Sequence, residues 1–352
     1  MNKPAGAARR GYTSGVGDAL LGLAAGLAAG GVMVRWGLCF NRALRRAAFE
    51  RRPAILRAFA IAVAAQLLAL PALIALGVGT LERSAGAGGP ALLPFAQLAG
   101  GVAFGAGMAL AGGCVTGMLW KAGAGAVALG VAIAGFAAGE LLVRAAGDGL
   151  IATLDDASRP AERSLTGLLG ATYEPLALAL GVAALAALLV RRRDGLVPGV
   201  ALAAVAAATW VAADAAGYGY GLGFVGAAEG TRAALASDGV LPFQLWLALG
   251  VIAGGAALGQ RRLRRPDAAR SARAAAGGLL MGVGGSIAHG CNIGHGLTGI
   301  PLLSLGSLLA TACMAAGALL TWRLLLAGRP GLRGHERPAT FGGRRAGRPA
   351  TR

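Results

Sequence analysis

About nine stretches of mostly apolar residues divide this sequence, and they constrain its fold more than any other feature. A helix needs about 20 apolar residues to cross the hydrocarbon core of a bilayer, because it rises only about 1.5 Å per residue. We predict spanning helices at 16–34, 55–79, 94–113, 123–146, 171–190, 196–215, 241–259, 274–290 and 298–322. The sequence therefore predicts an all-α polytopic membrane protein.

The charge of the chain fits this class and no nucleic-acid-binding class. Charged residues make up 14% of the sequence, against roughly 25% in soluble domains. The formal net charge is +18, but the basic residues lie in short runs between apolar stretches instead of on one domain. Anionic lipids and the positive-inside rule account for such runs. We expect membrane lipids, and no nucleic acid, among the partners.

The same basic runs predict the orientation. We place four arginine-rich stretches in the cytoplasm: 42–57, 191–193, 261–273 and the tail after Trp322. We place three stretches of acidic or mixed charge outside: 80–93, 147–170 and 216–240. Nine spans then put the N-terminus outside and the C-terminus in the cytoplasm.

The chain also repeats itself. GGVAFGAGMALAGGC, which ends at Cys114, aligns without a gap on GGLLMGVGGSIAHGC, which ends at Cys291, at an offset of 177 residues. Five glycines and both cysteines fall in register. A fainter echo pairs WGLCF at 36–40 with YGLGF at 220–224. The 177-residue offset continues past the cysteines, where Gly117 aligns on Gly294. Residues related by this offset or by the echo are called twins below.

The duplication combined with the orientation predicts inverted repeats. The first cysteine stretch is approached from an outside loop and the second from an inside loop. We therefore predict one transmembrane domain, 1–352, built of two inverted repeats at about 16–190 and 196–322. The basic tail, 323–352, is expected to be disordered or bound to lipid.

Two glycine-rich stretches carry candidate chemistry, GGCVTGMLWKAGAG at 112–125 and HGCNIGHGLTGIPLLSLGS at 289–307. Because each interior glycine costs about 1 kcal/mol against alanine, both stretches predict broken or re-entrant helices. The exposed N–H groups and positive dipole end of a broken helix bind anions without a formal charge. The thiols of Cys114 and Cys291 add soft donors that suit a polarizable sulphur ligand.

Other residues of these stretches are supporting candidates. They are Gly112, Gly113, Thr116, Gly117, Lys121, Gly290, Asn292, Gly294 and His295. Lys121 faces a cavity or snorkels to the headgroups, and the polar side chains bond a ligand or neighbouring helices. Glu140 is a weaker functional candidate or a helix-end residue, and Cys313 is interpreted as a packing residue.

Catalytic and metal sites are not predicted. A metal site is conceivable at His289, Cys291 and His295, because histidine and cysteine are common metal ligands. Their spacing is not a standard zinc spacing, however, and we assign no metal ligand. A Walker loop, a catalytic triad and a dinucleotide fingerprint are all absent from the sequence. We therefore expect a transporter without a cofactor and not an enzyme.

Three stretches resemble the YeeE/YedE family of sulphur-compound permeases: RWGLCFNRALRR at 35–46, GGCVTGMLWKAGAG at 112–125 and GCNIGHGLTGIPLLSLGS at 290–307. The resemblance covers nearly the whole chain. It implies a bacterial inner-membrane permease that imports an inorganic sulphur compound, thiosulfate being the best-known substrate. It also implies that cysteines line a narrow hourglass path and pass thiosulfate along by thiol hydrogen bonds.

Carried over by motif, the path cysteines are Cys39, Cys114 and Cys291. The resemblance further implies a TusA-like sulphur carrier on the cytoplasmic side. Lys121 departs from the family pattern, since an arginine is frequent there, and the basic tail is unmatched. Some similar proteins are assigned to other sulphur or selenium species.

We expect both cysteine motifs to meet at the pseudo-two-fold axis, with neutral thiols acting as a relay and not as nucleophiles. Three alternatives stay open at this point. They are a permease for a metal, a metalloid or a selenium species, a membrane thiol redox protein, and a structural subunit with no path.

Overall fold

The computed structural model of the protein describes residues 13–146, 149–156, 164–191, 193–237, 239–259, 263 and 267–327. The first half contains α1 Thr13–Trp36, α2 Phe40–Phe49, α3 Ala54–Ala75, α4 Gly79–Gly86, α5 Pro94–Ala111, α6 Val115–Gly123, α7 Val127–Ala145, α8 Gly149–Asp156, α9 Leu165–Leu169 and α10 Tyr173–Arg191. The second half contains α11 Leu196–Ala215, α12 Ala227–Leu235, α13 Phe243–Leu258, α14 Ala268–Ile287, a π-helix Gly294–Gly299 and α15 Leu305–Ala327. The predicted tail beyond residue 327 lies outside the described residues.

The prediction of an all-α polytopic membrane protein is confirmed. Seven segments of the described chain are long and apolar enough to cross a membrane: Gly15–Phe49, Ala54–Ala75, Pro94–Gly123, Val127–Ala145, Tyr173–Val190, Leu196–Ala215 and Leu305–Leu325. Helices also occupy the other two predicted segments. However, α13 has only 16 residues, and α14 carries Arg270 and Arg273 near its start. The count of nine spans stays a prediction.

Two predicted boundaries differ from the structure for identifiable reasons. The segment predicted at 298–322 starts too early, because Pro301 lacks an N–H group and Leu303 has a φ of 60°, which delays α15 to Leu305. The segment predicted at 274–290 starts too late. The Asp267 side chain accepts a hydrogen bond from the N–H group of Arg270 at 2.6 Å, and this cap starts α14 earlier.

Helices α5 and α14 cross in opposite directions at the centre of the fold. A Cβ atom built on Gly100 would lie 2.6 Å from the carbonyl oxygen of Gly284, and one built on Gly107 would lie 2.5 Å from that of Gly277. Gly277 is the twin of Gly100, and Gly284 is the twin of Gly107. Each glycine therefore packs against the twin of the other, which requires the two helices to be antiparallel and leaves no room for side chains.

The outer helices form matched pairs. Helix α1 packs on α13 in parallel, with Gly22 beside Trp246 and Gly30 beside Gly254, and α11 packs on α3 in the same way. Likewise α5 packs on α15 as α14 packs on α7, and α2 packs on α3 as α12 packs on α13. Exchanging the two halves converts each pair into its counterpart. Such matched pairs are what an inverted duplication predicts, and the two repeats and their boundaries stay predictions.

The described helix ends collect at two faces. On one face, called the basic face, Arg57 pairs with Asp194 at 3.3 Å and the rings of Phe49 and Trp322 are 6.2 Å apart. Two of the arginine-rich stretches predicted to be cytoplasmic, around 42–57 and 191–193, thus lie together. The opposite face is defined by contacts among the predicted outside stretches 80–93 and 147–170, the adjoining helix ends and the loop before α15. These contacts join Thr80 to Asp214, Ser304 to Pro90, Tyr173 to Pro301 and His289 to Asp155.

Candidate functional site

The three motif cysteines share one backbone arrangement. In each case a residue in the left-handed region follows the end of a helix within two positions, and the cysteine comes two positions after that residue. The left-handed residues are Gly37, Gly112 and His289, with φ values of 62°, 78° and 58°. Cys39 and Cys114 then adopt extended conformations as the N-cap residues of α2 and α6. Each thiol is thereby positioned at a helix N-terminus, where the backbone dipole favours a negative charge.

Cys39 and Cys114 form what we call the paired-thiol site, together with Thr116 and Lys121. The two Sγ atoms are 3.6 Å apart although the residues are 75 positions apart in the sequence. Cys114 Sγ also contacts Thr116 Oγ1 at 3.5 Å, and Lys121 Nζ donates to Cys39 Sγ at 3.6 Å. Both thiols are fully buried. The site combines two soft donors with one cation.

Glycine at position 117 is required by this contact. A Cβ atom there would lie 2.5 Å from Cys39 Sγ and 3.2 Å from Cys114 Sγ. Trp120 fixes the same region from the side, because its Nε1–H donates to the carbonyl oxygen of Leu38 at 3.0 Å. Lys121 also lies over the ring of Trp120, 5.5 Å from its centroid. Lys121 therefore points toward the thiols.

Cys291 lies in different surroundings, which we call the single-thiol site, formed by Cys291, Gly294 and Tyr220. The N–H group of Gly294 donates to Cys291 Sγ at 3.3 Å, and Tyr220 donates to the carbonyl oxygen of Gly294 at 2.8 Å. A Cβ atom on Gly294 would lie 3.8 Å from both Cys291 Sγ and the Cα atom of Gly223. Gly223 is the twin of Cys39, so the second half has a glycine where the first half has its partner thiol.

The expectation that both motifs meet at the axis is wrong in this structure. Ala111, at the end of α5, packs at Gly277, whereas Gly100 packs at Ala288. Eleven residues of helix, about 16 Å, separate these two contacts. Cys114 follows the end of α5 at the basic face, and Cys291 follows the end of α14 at the opposite face. The antiparallel crossing of α5 and α14 therefore produces two separate sites.

His295 has its two ring nitrogens engaged by the protein. Nε2 donates to the carbonyl oxygen of Ala288 at 3.0 Å, and Nδ1 lies 3.0 Å from Ser307 Oγ. Its twin, Met118, packs against Gly113 as His295 packs against Gly290. The structure thus uses His295 to hold the broken end of α14.

The other candidates also have clear positions. His289 pairs with Asp155 at 3.1 Å at the opposite face. Within the described part of the chain, no three His, Cys, Asp or Glu side chains are grouped so that they could hold a metal ion. Glu140 accepts hydrogen bonds from the N–H groups of Gly226 and Ala228, at 2.9 and 3.1 Å, and so caps α12. Cys313 packs beside Gly101 between α15 and α5.

Sequence reasoning missed Tyr220 and Trp120. The echo between WGLCF and YGLGF contained the signal for Tyr220, since it marks the segment that faces Cys291. Asn292 was recognised only as one of several polar candidates. The structure separates it from the others, because it is 2% exposed and neither of its side-chain amide atoms has a hydrogen-bond partner among the described residues.

A family model described as "Sulphur transport" matches the chain in two stretches, residues 36–197 and 190–320. The two matches divide the chain near the boundary between the predicted repeats.

Two characterised relatives are similar over most of their length. A protein of Escherichia coli named thiosulfate transporter TsuA is 30% identical, and the alignment covers 79% of this chain and 86% of the relative. A protein of the same name from Spirochaeta thermophila is 27% identical, with 84% of this chain and 96% of the relative covered.

Proposed function

The chain belongs to the sulphur-transport (YeeE/YedE) family, and on that premise we propose that it imports a small sulphur oxyanion, thiosulfate, across a bacterial inner membrane. The observation that carries this proposal is the paired-thiol site, where two thiols and the Lys121 ammonium converge within 3.6 Å contacts. Two relatives named thiosulfate transporter support the choice of substrate.

The chemistry of the paired-thiol site matches the two ends of thiosulfate. The terminal sulphur is large and polarizable and accepts weak hydrogen bonds from thiols. The dianion as a whole is attracted by Lys121 and by the helix N-termini behind the cysteines. The thiols remain protonated in this scheme, because a thiolate would repel the dianion. They bind the substrate and do not attack it, so no covalent intermediate forms.

Transport then proceeds as a relay between the two sites. With the basic face in the cytoplasm, as the positive-inside rule favours, thiosulfate meets Cys291 first. It next passes along the α5 and α14 crossing to Cys114, Cys39 and Lys121. All three thiols are buried, at 1% exposure or less, so the path must open for each passage. A TusA-like carrier would dock at the basic face, where thiosulfate leaves the path.

The deciding experiment is growth of a bacterium that lacks sulphate uptake, on thiosulfate as sole sulphur source, with the wild type and with Cys291→Ala. Cys313→Ala is the matched control, because Cys313 is a buried cysteine that packs between helices away from both sites. We expect growth with the wild type and the control, and loss of growth with Cys291→Ala at equal membrane insertion. Full growth with Cys291→Ala would falsify the relay.

The contact between Cys39 and Cys114 also favours one alternative, a membrane thiol redox protein, since the Sγ atoms of two free cysteines are in van der Waals contact at 3.6 Å. Labelling of these thiols before and after treatment with oxidant and reductant separates the two functions. A permease predicts uptake that continues under constant reducing conditions. A redox protein predicts activity only while the pair cycles between dithiol and disulfide.

A selenium-species permease is the remaining alternative within the family. Competition between labelled thiosulfate and its selenium analogue at equal concentration decides it. Preferred uptake of the selenium compound would move the assignment from sulphur to selenium without changing the path.

A further inference from the structure

Asn292 is a buried polar residue whose side chain makes no hydrogen bond within the described part of the protein. It directly follows Cys291 at the start of the helical turn that leads into the π-helix. Its side chain is 2% exposed, and both its Oδ1 and its Nδ2 lack a hydrogen-bond partner among the described residues. Burying an amide group without partners is unfavourable, because it loses its hydrogen bonds to water and gains none in return.

The neighbouring polar side chains are satisfied. Thr298 donates to the carbonyl oxygen of Leu222 at 2.9 Å, and Ser304 donates to that of Pro90 at 2.7 Å. His295 and Ser307 bond each other at 3.0 Å. The unpartnered state is therefore a property of Asn292 and not of the segment as a whole.

The other half of the molecule shows that this position does not need a polar residue. The twin of Asn292 is Val115, which directly follows Cys114, starts α6 and is also buried, at 3% exposure. A valine thus satisfies the packing after a cysteine at the same kind of helix break. Packing alone therefore does not explain the asparagine at position 292, whereas hydrogen bonds to a ligand would.

We infer that Asn292 binds the oxygen end of the transported anion at the single-thiol site. Its amide NH₂ group donates to a sulfonate oxygen while the adjacent Cys291 thiol contacts the terminal sulphur. The hydrogen bond from Gly294 uses Cys291 Sγ as the acceptor and leaves the thiol hydrogen for the substrate. This inference rests on the proposed function and adds a specificity: the site selects oxygen-bearing sulphur anions over hydrosulfide and other oxygen-free species.

The test compares Asn292→Val with the reverse substitution Val115→Asn in the purified full-length chain. Thermal unfolding is measured without ligand, and binding is measured from the shift in Tm as sodium thiosulfate is added. We expect Asn292→Val to keep or raise the ligand-free Tm and to weaken thiosulfate binding at least about tenfold, the loss expected when a hydrogen bond to a charged group is removed. Val115→Asn is expected to lower the Tm without tighter binding.

A second variant and a second readout keep the test decisive. Asn292→Asp has the same shape but adds a negative charge, and it should bind thiosulfate more weakly than Asn292→Val does. In proteoliposomes, wild-type uptake of thiosulfate should resist competition by hydrosulfide, and this resistance should disappear in Asn292→Val.

Two results would overturn the inference. A Tm of Asn292→Val several degrees below wild type, with thiosulfate binding within twofold, would make Asn292 a structural residue. Unchanged selectivity against hydrosulfide would reject the specificity. If the wild type itself neither binds nor transports thiosulfate, the proposed function fails, and the inference fails with it.

Discussion

The paired-thiol site and the single-thiol site have the same backbone arrangement and differ in side chains. Each cysteine follows a helix that ends in the left-handed region. The paired-thiol site contains a second thiol and the Lys121 cation. The second site has Gly223 in place of Cys39, Thr298 in place of Lys121, and a buried asparagine.

For the proposed path, this difference means that the two sites are not copies of each other. A path conducts only if each site binds the ion well enough to admit it and weakly enough to release it. A cation at one site and a neutral amide at the other predict that the two sites bind thiosulfate unequally. Substitutions at twin positions test this comparison directly.

The largest difference is expected between Gly117→Ala and Gly294→Ala. A methyl group at position 117 would lie 2.5 Å from Cys39 Sγ, whereas at position 294 its nearest neighbours are 3.6 and 3.8 Å away. Overpacking of this kind costs about 1–3 kcal/mol. We therefore expect Gly117→Ala to reduce thiosulfate uptake in proteoliposomes about tenfold or more and to lower the Tm. Gly294→Ala should stay within about twofold, and equal losses would show that the two sites are packed alike.

A second difference concerns the cation. Lys121→Met should raise the thiosulfate concentration for half-maximal uptake about tenfold, since a hydrogen bond to a charged group contributes about 1.5–3 kcal/mol. Lys121→Arg should retain most of the affinity, and the salt dependence of uptake should weaken only in Lys121→Met. At the twin position, Thr298→Met removes a bond to Leu222. It should lower the Tm and leave the concentration dependence unchanged; a shift as large as that of Lys121→Met would contradict a charge difference between the sites.

The coupling between cysteines should be smaller but more specific. The Cys39→Ala and Cys114→Ala substitutions are expected to be non-additive in thiosulfate binding, with a coupling of about 0.5–1 kcal/mol, because the two Sγ atoms are in contact. Cys114→Ala and Cys291→Ala lie at opposite ends of the α5 and α14 pair and should add. A double-mutant cycle measured by binding calorimetry checks both statements. Strong coupling between Cys114 and Cys291 would contradict two separate sites and support a single shared one.

The smallest effects on thiosulfate binding are expected at the left-handed residues, where substitutions act on the free energy of unfolding. A Cβ atom on Gly112 meets no atom within 4 Å, so Gly112→Ala adds only backbone strain, about 1–2 kcal/mol in the free energy of unfolding. His289→Gly relieves the same strain but loses the exposed pair with Asp155, which contributes at most about 1 kcal/mol. The free energy of unfolding of His289→Gly, measured by chemical denaturation, should differ from the wild type by under about 1 kcal/mol. Asp155→Asn measures the contribution of the His289–Asp155 pair alone. An unchanged free energy of unfolding in Gly112→Ala would exclude backbone strain as the reason for glycine at position 112.

Much of the candidate site was accessible from the sequence. The motifs identified Cys39, Cys114 and Cys291, and the gapless alignment identified the twin positions that the packing of Gly100 and Gly107 then reproduced. The role of His295 was not accessible, because its sequence neighbours suggest a ligand while its actual partners, Ala288 and Ser307, depend on how the chain folds back.

The sequence by itself determined the membrane class, the helix breaks and the 177-residue offset between the two cysteine motifs. Apolar length fixes what can cross a bilayer, and glycine fixes where a helix can end in the left-handed region, so both are local properties. Only the tertiary structure decided which cysteines meet. The antiparallel crossing of α5 and α14 separates Cys114 from Cys291, and the contact of Cys114 with Cys39 joins residues 75 positions apart. Such contacts depend on the packing of whole helices, which no single motif encodes.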